Sequence, residues 1–351
     1  MSWDIALILG IDGLANGAVY LLAGLGLVLI FSVTRVVFVP FGDIAAFSAL
    51  TLAAFETGRL PPTIGMVMVL TALALVTELG SLVQKKEFRR IPGAALAWGI
   101  LPLLPCGLAW LASGPGTPAA VHIAASVLLV VPIAPLLGRV VFQPIADASV
   151  LVLLIVSLAL HFLLAGLGLL FFGPEGSRTQ PLVSGSIPLG DGFAVSGQVV
   201  LMVAAAIVLS GLFFLVFERT TTGKALRATA VNRVGARLVG IRPARTALLA
   251  YGSASLLAGL IGVLIAPVTT MYYDSGFIIG LKAFIAAIIG GLVSYPLTAI
   301  GALSVGVVES FASFWSGALK DVIVFSLLIP VLMLRSFLAR HVEEEEEEID
   351  Q

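Results

Sequence analysis

The chain contains 351 residues, of which 59% are hydrophobic and only 11% are charged. A soluble domain carries roughly 25% charged residues, so a chain this poor in charge cannot cover a surface that faces water. The composition excludes an ordinary soluble protein and predicts a protein of the lipid bilayer. The formal net charge is −1, and six consecutive glutamates, Glu343–Glu348, conceal an otherwise basic chain.

Apolar runs that can cross a bilayer follow one another along the chain. A hydrocarbon core about 30 Å thick needs about 20 helical residues per crossing. Two shorter runs, 42–57 and 277–293, are rich in Gly or flanked by polar residues, which favours short, broken or re-entrant helices. The sequence predicts an all-α polytopic membrane domain over residues 1–342, with eleven helices if both short runs are counted and nine otherwise. The long runs are 5–33, 62–83, 94–112, 121–140, 149–172, 196–217, 244–268, 296–315 and 319–338.

Lysine and arginine residues predict how these helices are oriented, because basic loops remain in the cytoplasm. With eleven crossings, nearly all basic residues fall on one side, and only Arg59, Arg178 and Lys320 fall on the other. We therefore expect the N-terminus and loop 173–195 outside, and the C-terminus inside with residues 343–351 as a disordered acidic tail. The inner residues are Lys85, Lys86, Arg89, Arg90, Arg139, Arg219, Lys224, Arg227, Arg233, Arg237, Arg242, Arg245, Arg335 and Arg340.

Two spans share a sequence pattern. LLAGLGLVLI at 21–30 and LLAGLIGVLI at 256–265 agree at eight of ten positions. In the predicted topology these spans run in opposite directions, as an inverted repeat requires. A chance likeness between two helices rich in Leu, Ala and Gly is the alternative.

The loop 218–243 is rich in Ala, Leu and Arg and predicts one or two short amphipathic helices on the cytoplasmic face. A short basic helix between two spans can insert into a groove on a soluble partner, where Arg227, Arg233 and Arg237 can pair with carboxylates. An ordinary basic loop without a partner is the alternative.

The segment Gly223–Ile241, GKALRATAVNRVGARLVGI, resembles the coupling segment of the permeases of branched-chain amino acid ABC importers. Further likenesses cover most of the chain outside 58–120, where this chain is longer and predicts an extra helix pair joined by the turn QKKEFRR. They are Asn16-Gly17 with Tyr20–Gly26, Phe142–Pro144, Phe171–Pro174, Gly280–Phe284, Gly290-Gly291 and Lys320-Asp321.

This resemblance implies an ABC importer permease fold in the bacterial inner membrane, surrounded by lipid. It implies two ABC ATPase subunits, a second homologous permease or a second copy of this chain, and a periplasmic solute-binding protein as partners. Branched-chain amino acids, or related amides, urea or small acids, are the implied solutes. The residues that match the coupling pattern and its basic face are Gly223, Arg227, Asn232, Arg233, Arg237 and Gly240.

The chain departs from the family before Asp43. The usual run is close to I-N-F-A-H-G-D, whereas this chain reads VFVPFGD, so Phe38 and Phe41 replace an Asn and a His. The loss of two polar groups bears more on the substrate that the resemblance implies than on the implied coupling to ATPase subunits. The chain also contains no G-x-x-x-x-G-K-[ST] phosphate cradle, so we expect ATP and its hydrolysis on partner subunits and no cofactor or enzymatic activity here.

Four polar residues are candidates for the translocation pathway, because polar groups inside a membrane normally face a cavity, form pairs or lie at the interface. Asp43 is either a ligand or cap at a broken helix near the pathway, or a plain N-cap at the cytoplasmic interface. Glu309 either lines the pathway or pairs with Lys282. Asn16 is a polar group that must be paired, and it is a candidate to face the pathway.

Three other residues in the apolar runs are expected to take part in contacts between helices. His161 favours one interhelical hydrogen bond, and Gly13 with Gly17 forms a small-xxx-small face for close helix contact.

An ion-coupled transporter and an intramembrane enzyme are the two alternative functional classes. An ion-coupled secondary transporter would use Asp43, Lys282 or Glu309 as coupling groups. An intramembrane enzyme would need a convergent catalytic or metal set, but none of His122, His161 and His341 has ligand spacing. We therefore predict neither a catalytic nor a metal site, and no nucleic-acid partner.

Overall fold

The computed structural model describes residues 3–114, 116–188 and 194–333, and a helix forms in each of the eleven apolar runs. The predicted acidic tail 343–351 and the basic residues Arg335 and Arg340 lie outside these described residues. The helices are α1 (Trp3–Thr34), α2 (Phe41–Glu56), α3 (Thr63–Gln84), α4 (Ile91–Ala95), α5 (Leu101–Ala112), α6 (Ala119–Val130), α7 (Ile133–Leu137), α8 (Val150–Phe172), α9 (Gly197–Arg219), α10 (Thr221–Val231), α11 (Arg233–Leu238), α12 (Pro243–Ile265), α13 (Ser275–Ile289), α14 (Tyr295–Trp315) and α15 (Lys320–Ser326).

Eight helical segments in the described ranges are long and apolar enough to cross a membrane, which confirms the all-α polytopic fold. Two of them are composite. Phe88–Ala112 joins α4 to α5 through a π-helical turn, and Ala119–Phe142 contains α6, α7 and a second π turn. Both composite segments are rich in proline, which interrupts the regular hydrogen-bond ladder of a helix. The others are α1, α3, α8, α9, α12 and α14.

The helices formed by the two shorter apolar runs, α2 and α13, are too short to cross a bilayer alone, as the sequence predicted. α2 has 16 residues and α13 has 15, or about 24 and 22 Å at 1.5 Å per residue. α15 begins the run predicted at 319–338, but the described residues end at 333. The total of eleven crossing or re-entrant helices therefore stays a prediction.

The loop between α8 and α9 contains a small β-hairpin. β1 (Ser186–Pro188) pairs antiparallel with β2 (Ala194–Ser196), and Ile187 lies opposite Val195. The helix pair predicted within residues 58–120 is present, since α3 packs beside α5. The turn between them includes Lys86 with a φ of +56°.

α1 and α14 form the most extensive helix contact, through glycines on both sides. A Cβ added to Gly13 would lie 2.7 Å from the Cα of Val307, and one added to Gly17 would lie 2.9 Å from the Cα of Leu303. A Cβ on Gly306 would overlap the backbone of α1 in turn. The predicted small-residue face is confirmed, because only glycine allows the two backbones to approach this closely.

α1 and α12 run in opposite directions, since the end of α1 at Thr34 and the start of α12 at Arg242 border the same cavity. Arg90 and Arg139 border this cavity too, and we refer to this end of the bundle as the arginine-rich end. Each of the two long helices is followed by a short one, α2 and α13 respectively. This arrangement supports the inverted repeat that the sequence suggested.

Candidate translocation and coupling sites

The short helices α2 and α13 meet at their N-termini. Gly42 and Gly276 are the second residues of the two helices, and a Cβ added to either would overlap the backbone of the other. The junction lies beside His161, which is the middle residue of the 23-residue span α8. Two half-helices therefore start near mid-depth, an arrangement that transporters use to direct helix N-termini toward a solute.

Asp43 lies at this junction and is fully buried. Its carboxylate oxygens are 2.8 and 3.0 Å from Nδ1 of His161, whose ring also stacks on Phe277 with 4.6 Å between centroids. The interhelical hydrogen bond predicted for His161 is confirmed. The N-cap position of α2 belongs to Pro40, so the interpretation of Asp43 as a plain interfacial cap is wrong. The chain re-enters the bundle before α2 begins, which carries this first-turn carboxylate into the interior.

Lys282 and Glu309 are directly paired in a second buried cluster. Lys282 Nζ lies 2.5 Å from Glu309 Oε1 and 2.8 Å from Asp321 Oδ1. The hydroxyl of Tyr20 donates to Glu309 Oε2 at 2.5 Å. The cluster thus joins α1, α13, α14 and α15. Because it is buried, removal of one charged side chain would leave its partner uncompensated.

Sequence reasoning named Lys282 and Glu309 but missed Tyr20 and Asp321 as their partners. Both lie in stretches that match the family pattern, Tyr20–Gly26 and Lys320-Asp321, which was the available signal. Asn16 is half-buried on α1, four residues before Tyr20 and therefore on the same helix face.

α13 links the two buried groups. It carries Phe277 against His161, and five residues later it carries Lys282 into the ionic cluster. The structure therefore brings Lys282 and Glu309 together and places Asp43 in a separate pair. A rotation or shift of α13 would disturb both groups.

The predicted amphipathic helices of the loop 218–243 are α10 and α11. Side-chain caps begin both: Thr220 Oγ1 accepts the N–H of Gly223 at 3.0 Å, and Asn232 Oδ1 accepts the N–H of Gly235 at 2.8 Å. Gly240 follows α11 with a φ of +85°, a conformation that suits glycine.

The coupling candidates have different surroundings. Gly223 packs so closely on Phe217 that a Cβ would overlap its backbone. Arg227 pairs with Glu218 at 2.6 Å on the surface, whereas Arg233 and Arg237 border the cavity at the arginine-rich end. Asn232 serves as the cap of α11.

Exposed apolar side chains mark the surface of this segment. Val231, Val234, Leu238 and Val239 all project from it, and Leu238 is 84% exposed. They alternate along the chain with Arg233, Arg237 and Arg242, which border the cavity at the arginine-rich end. An exposed apolar patch rimmed by polar residues is typical of a protein interaction site.

Comparisons with known proteins show which family the chain resembles in sequence. A family profile described as branched-chain amino acid transport system / permease component matches residues 10–333. The chain belongs to this family. This family supplies the membrane component of ABC importers, so the chain is a multi-pass permease. The alternative of an ion-coupled secondary transporter is therefore not retained.

Three relatives are named high-affinity branched-chain amino acid transport system permease proteins. BraD of Pseudomonas aeruginosa is 30% identical over 223 residues, which cover 60% of this chain and 71% of BraD. LivH of Salmonella typhimurium is 32% identical and LivH of Escherichia coli K12 is 31% identical, each over 204 residues that cover 56% of this chain and 66% of the relative. These relatives are permease subunits rather than enzymes. No solved structure matches the chain.

Proposed function

We propose that this permease takes up a branched-chain amino acid, or a related small amide, urea or acid, across the bacterial inner membrane as part of an ABC importer. The observation that carries the proposal is the segment α10–α11, which presents exposed apolar and basic side chains between two spans. An ATPase subunit that receives this segment in a groove would bury its apolar residues. ATP would be bound and hydrolysed on two such subunits, so this chain needs no cofactor of its own.

The covalent connections of the segment suggest how ATP hydrolysis reaches the membrane. α10 begins two residues after α9 ends, and α11 leads into α12 through residues 239–242. A displacement of the docked segment therefore moves both spans. α12 packs against α1 and α2, so its movement reaches the junction at Gly42 and Gly276.

The proposed orientation places the arginine-rich end in the cytoplasm, because basic loops are retained there. The N-terminus then lies outside and the C-terminus inside. The loop with the β-hairpin faces the periplasm, where a solute-binding protein would deliver its ligand. A second homologous permease or a second copy of this chain would complete the pathway.

Two observations support a solute of the same class as that of the family. The N-termini of α2 and α13 carry partial positive charge, which suits the carboxylate of an amino acid. Phe38 and Phe41, which replace two polar residues of the family pattern, are both buried. Phe38 packs edge-on against Phe142 and Tyr251, with centroids 5.9 and 5.3 Å away. These two aromatic residues therefore change the packing behind the junction rather than a surface that a solute would touch.

Recovery of the ATPase subunits tests the docking. The ATPases encoded beside this chain should co-purify with it, and Leu238→Asp should abolish their recovery by placing a charge in an apolar contact. Leu60→Asp is the matched control, because Leu60 is an exposed leucine in the turn between α2 and α3 at the opposite end. Equal recovery of the ATPases with both variants would refute the proposed docking surface.

Transport in proteoliposomes tests the solute. With the ATPases and the co-encoded binding protein present, uptake of radiolabelled leucine, isoleucine or valine should require ATP. Competition by unlabelled amides, urea and small acids would rank the solutes. ATP-independent uptake driven by an ion gradient would contradict the proposed mechanism.

A further inference from the structure

A cavity of about 610 Å³ lies at the arginine-rich end, between the helix pair formed by residues 63–112 and the start of α12. Three segments that are far apart in the chain contribute its basic residues. They come from the turn after α3, from the π turn after α7 and from the segment that follows α10. These arginines are Arg90, Arg139, Arg233, Arg237, Arg242 and Arg245.

The charges around this arginine cavity do not balance. Arg139 is engaged by Glu78, with Nε 2.8 Å from the carboxylate, and it also lies over the ring of Trp98. Arg90 pairs with Glu87 at 2.6 Å.

The remaining four arginines share one other lining carboxylate among the described residues, that of Asp147. It lies 3.9 Å from Arg233 and its side chain is 98% exposed, so solvent screens the interaction. Nε of Arg233 is buried and has no hydrogen-bond acceptor in the described part of the chain. The cavity therefore attracts an anion.

The same cavity has apolar walls. Val36, Pro135, Phe142 and Leu248 line it beside the arginines. The helices that flank it expose apolar side chains outward, namely Val76 and Val83 on α3 and Leu96 and Ile100 next to Trp98. A charged floor, apolar walls and a flanking apolar surface match a ligand that carries an anionic group on a hydrocarbon body.

We propose that the arginine cavity binds the phosphate headgroup of an anionic phospholipid from the adjoining leaflet. Basic pockets between membrane helices at the cytoplasmic side suit such headgroups, because Lys and Arg neutralise the phosphate while acyl chains remain in the bilayer. A free phosphate would leave the apolar walls without a partner. A zwitterionic amino acid would bring an ammonium group that the arginines repel.

The position of the cavity gives such a lipid a structural role. Its headgroup would bridge the helix pair 63–112 and Arg233 and Arg237 of α11, which lie within the coupling segment. An anionic lipid would thereby hold the extra helix pair against the segment that we propose to dock on the ATPase. The lipid site itself does not depend on that docking, since it is formed by this chain alone.

Lipid binding to the purified full-length chain tests the proposal. Native mass spectrometry would compare phosphatidylglycerol with phosphatidylcholine of the same acyl chains, and glycerol phosphate would represent the headgroup without a hydrocarbon body. We expect preferential retention of phosphatidylglycerol and no retention of glycerol phosphate at equal concentration. Arg242→Gln with Arg245→Gln removes two exposed cavity charges and should weaken phosphatidylglycerol binding on the order of tenfold.

Two further variants make the test specific. Arg242→Lys with Arg245→Lys keeps the charges and should retain most of the binding. Arg89→Gln with Arg219→Gln removes two exposed charges that do not line the cavity, one in the turn after α3 and one at the end of α9. This control pair should bind phosphatidylglycerol like the unaltered chain. Leu238→Asp, which addresses ATPase docking, should also leave lipid binding unchanged.

Three outcomes would overturn the proposal. Equal retention of the two phospholipids would show that the cavity does not select an anionic headgroup. If the cavity variant and the Arg89→Gln, Arg219→Gln control lost binding equally, the net surface charge and not the cavity would explain lipid binding. Binding of glycerol phosphate as tight as that of phosphatidylglycerol would identify a site for a soluble anion instead.

Discussion

The carboxylate of Asp43 and the imidazole of His161 are paired at 2.8 Å although the two residues are 118 positions apart. The pair attaches the first turn of α2 to the middle of α8. A second bond supports it, because the N–H of Val39 donates to Oγ of Ser157 one turn earlier on α8. The start of a short helix is thereby held inside the bundle.

His161→Ala should destabilise the protein strongly, because it leaves the buried carboxylate of Asp43 without its partner. Breaking a buried pair by removing one member costs about 3–5 kcal/mol. The apparent Tm of the purified protein, measured by loss of soluble monomer on heating, reports this effect. The double variant His161→Ala with Asp43→Asn removes the charge as well and should recover part of the loss. A double variant less stable than His161→Ala would contradict the pairing.

Lys282→Met should destabilise the folded protein more than Asp321→Asn does. The first substitution leaves two carboxylates facing each other without a cation, a loss of about 3–5 kcal/mol for a buried pair. The second leaves the bond between Lys282 and Glu309 intact, and the Asp321 side chain is 34% exposed.

Thermal stability and yield of monomer rank these variants of the ionic cluster. Adding Glu309→Gln to Lys282→Met should restore part of the stability by removing one of the two unpaired charges. Equal effects of Lys282→Met and Asp321→Asn would show that Lys282 is not the centre of the cluster.

Gly276→Ala should separate the N-termini of α2 and α13. The added Cβ would lie 2.5 Å from backbone atoms of Gly42 and Asp43, and relief of such overpacking typically costs about 1–3 kcal/mol. Tm and solute uptake should both fall. Gly211→Ala is the control in the span α9, since a Cβ there meets open space and alanine favours the helix. If Gly276→Ala were fully active, the close contact between the N-termini of α2 and α13 would not be required for transport.

Asn232→Ala should loosen α11 by removing the cap that accepts the N–H of Gly235, at a cost of about 0.5–2 kcal/mol. We expect solute-stimulated ATP hydrolysis by the reconstituted importer to fall, because a frayed α11 presents Leu238 poorly. Asn232→Asp keeps a capping oxygen and should retain the coupled activity. If the two variants behave alike, the cap has no part in coupling.

Features that depend on one stretch of chain were predictable from the sequence. The apolar runs predicted the spans because hydropathy sums along a single helix. The limited length of 42–57 and 277–293 predicted two short helices, and the composition of 218–243 predicted the short amphipathic helices α10 and α11. The glycine face of α1 was also visible, since Gly13 and Gly17 are spaced one turn apart.

Contacts between helices were only partly predictable. Glu309 was one of several polar residues in the bundle, and its pairing with Lys282 was one of two interpretations. Its bonds to Tyr20 and Lys282 depend on how α1, α13 and α14 are rotated about their axes. That rotation is set by close packing at Gly17 and Gly306, which no single helix reveals. The pairing of His161 with Asp43 was hidden for the same reason.

By itself, the sequence determined that this protein lies in the bilayer and resembles the permeases of an importer family, since composition and short motifs are properties of the chain. Only the tertiary structure decided that Gly42 meets Gly276, that Asp43 is buried rather than capping a helix, and that six arginines from three segments surround one cavity. Each of these depends on distances between residues that are remote in sequence. Such distances are set by the packing of all the helices together.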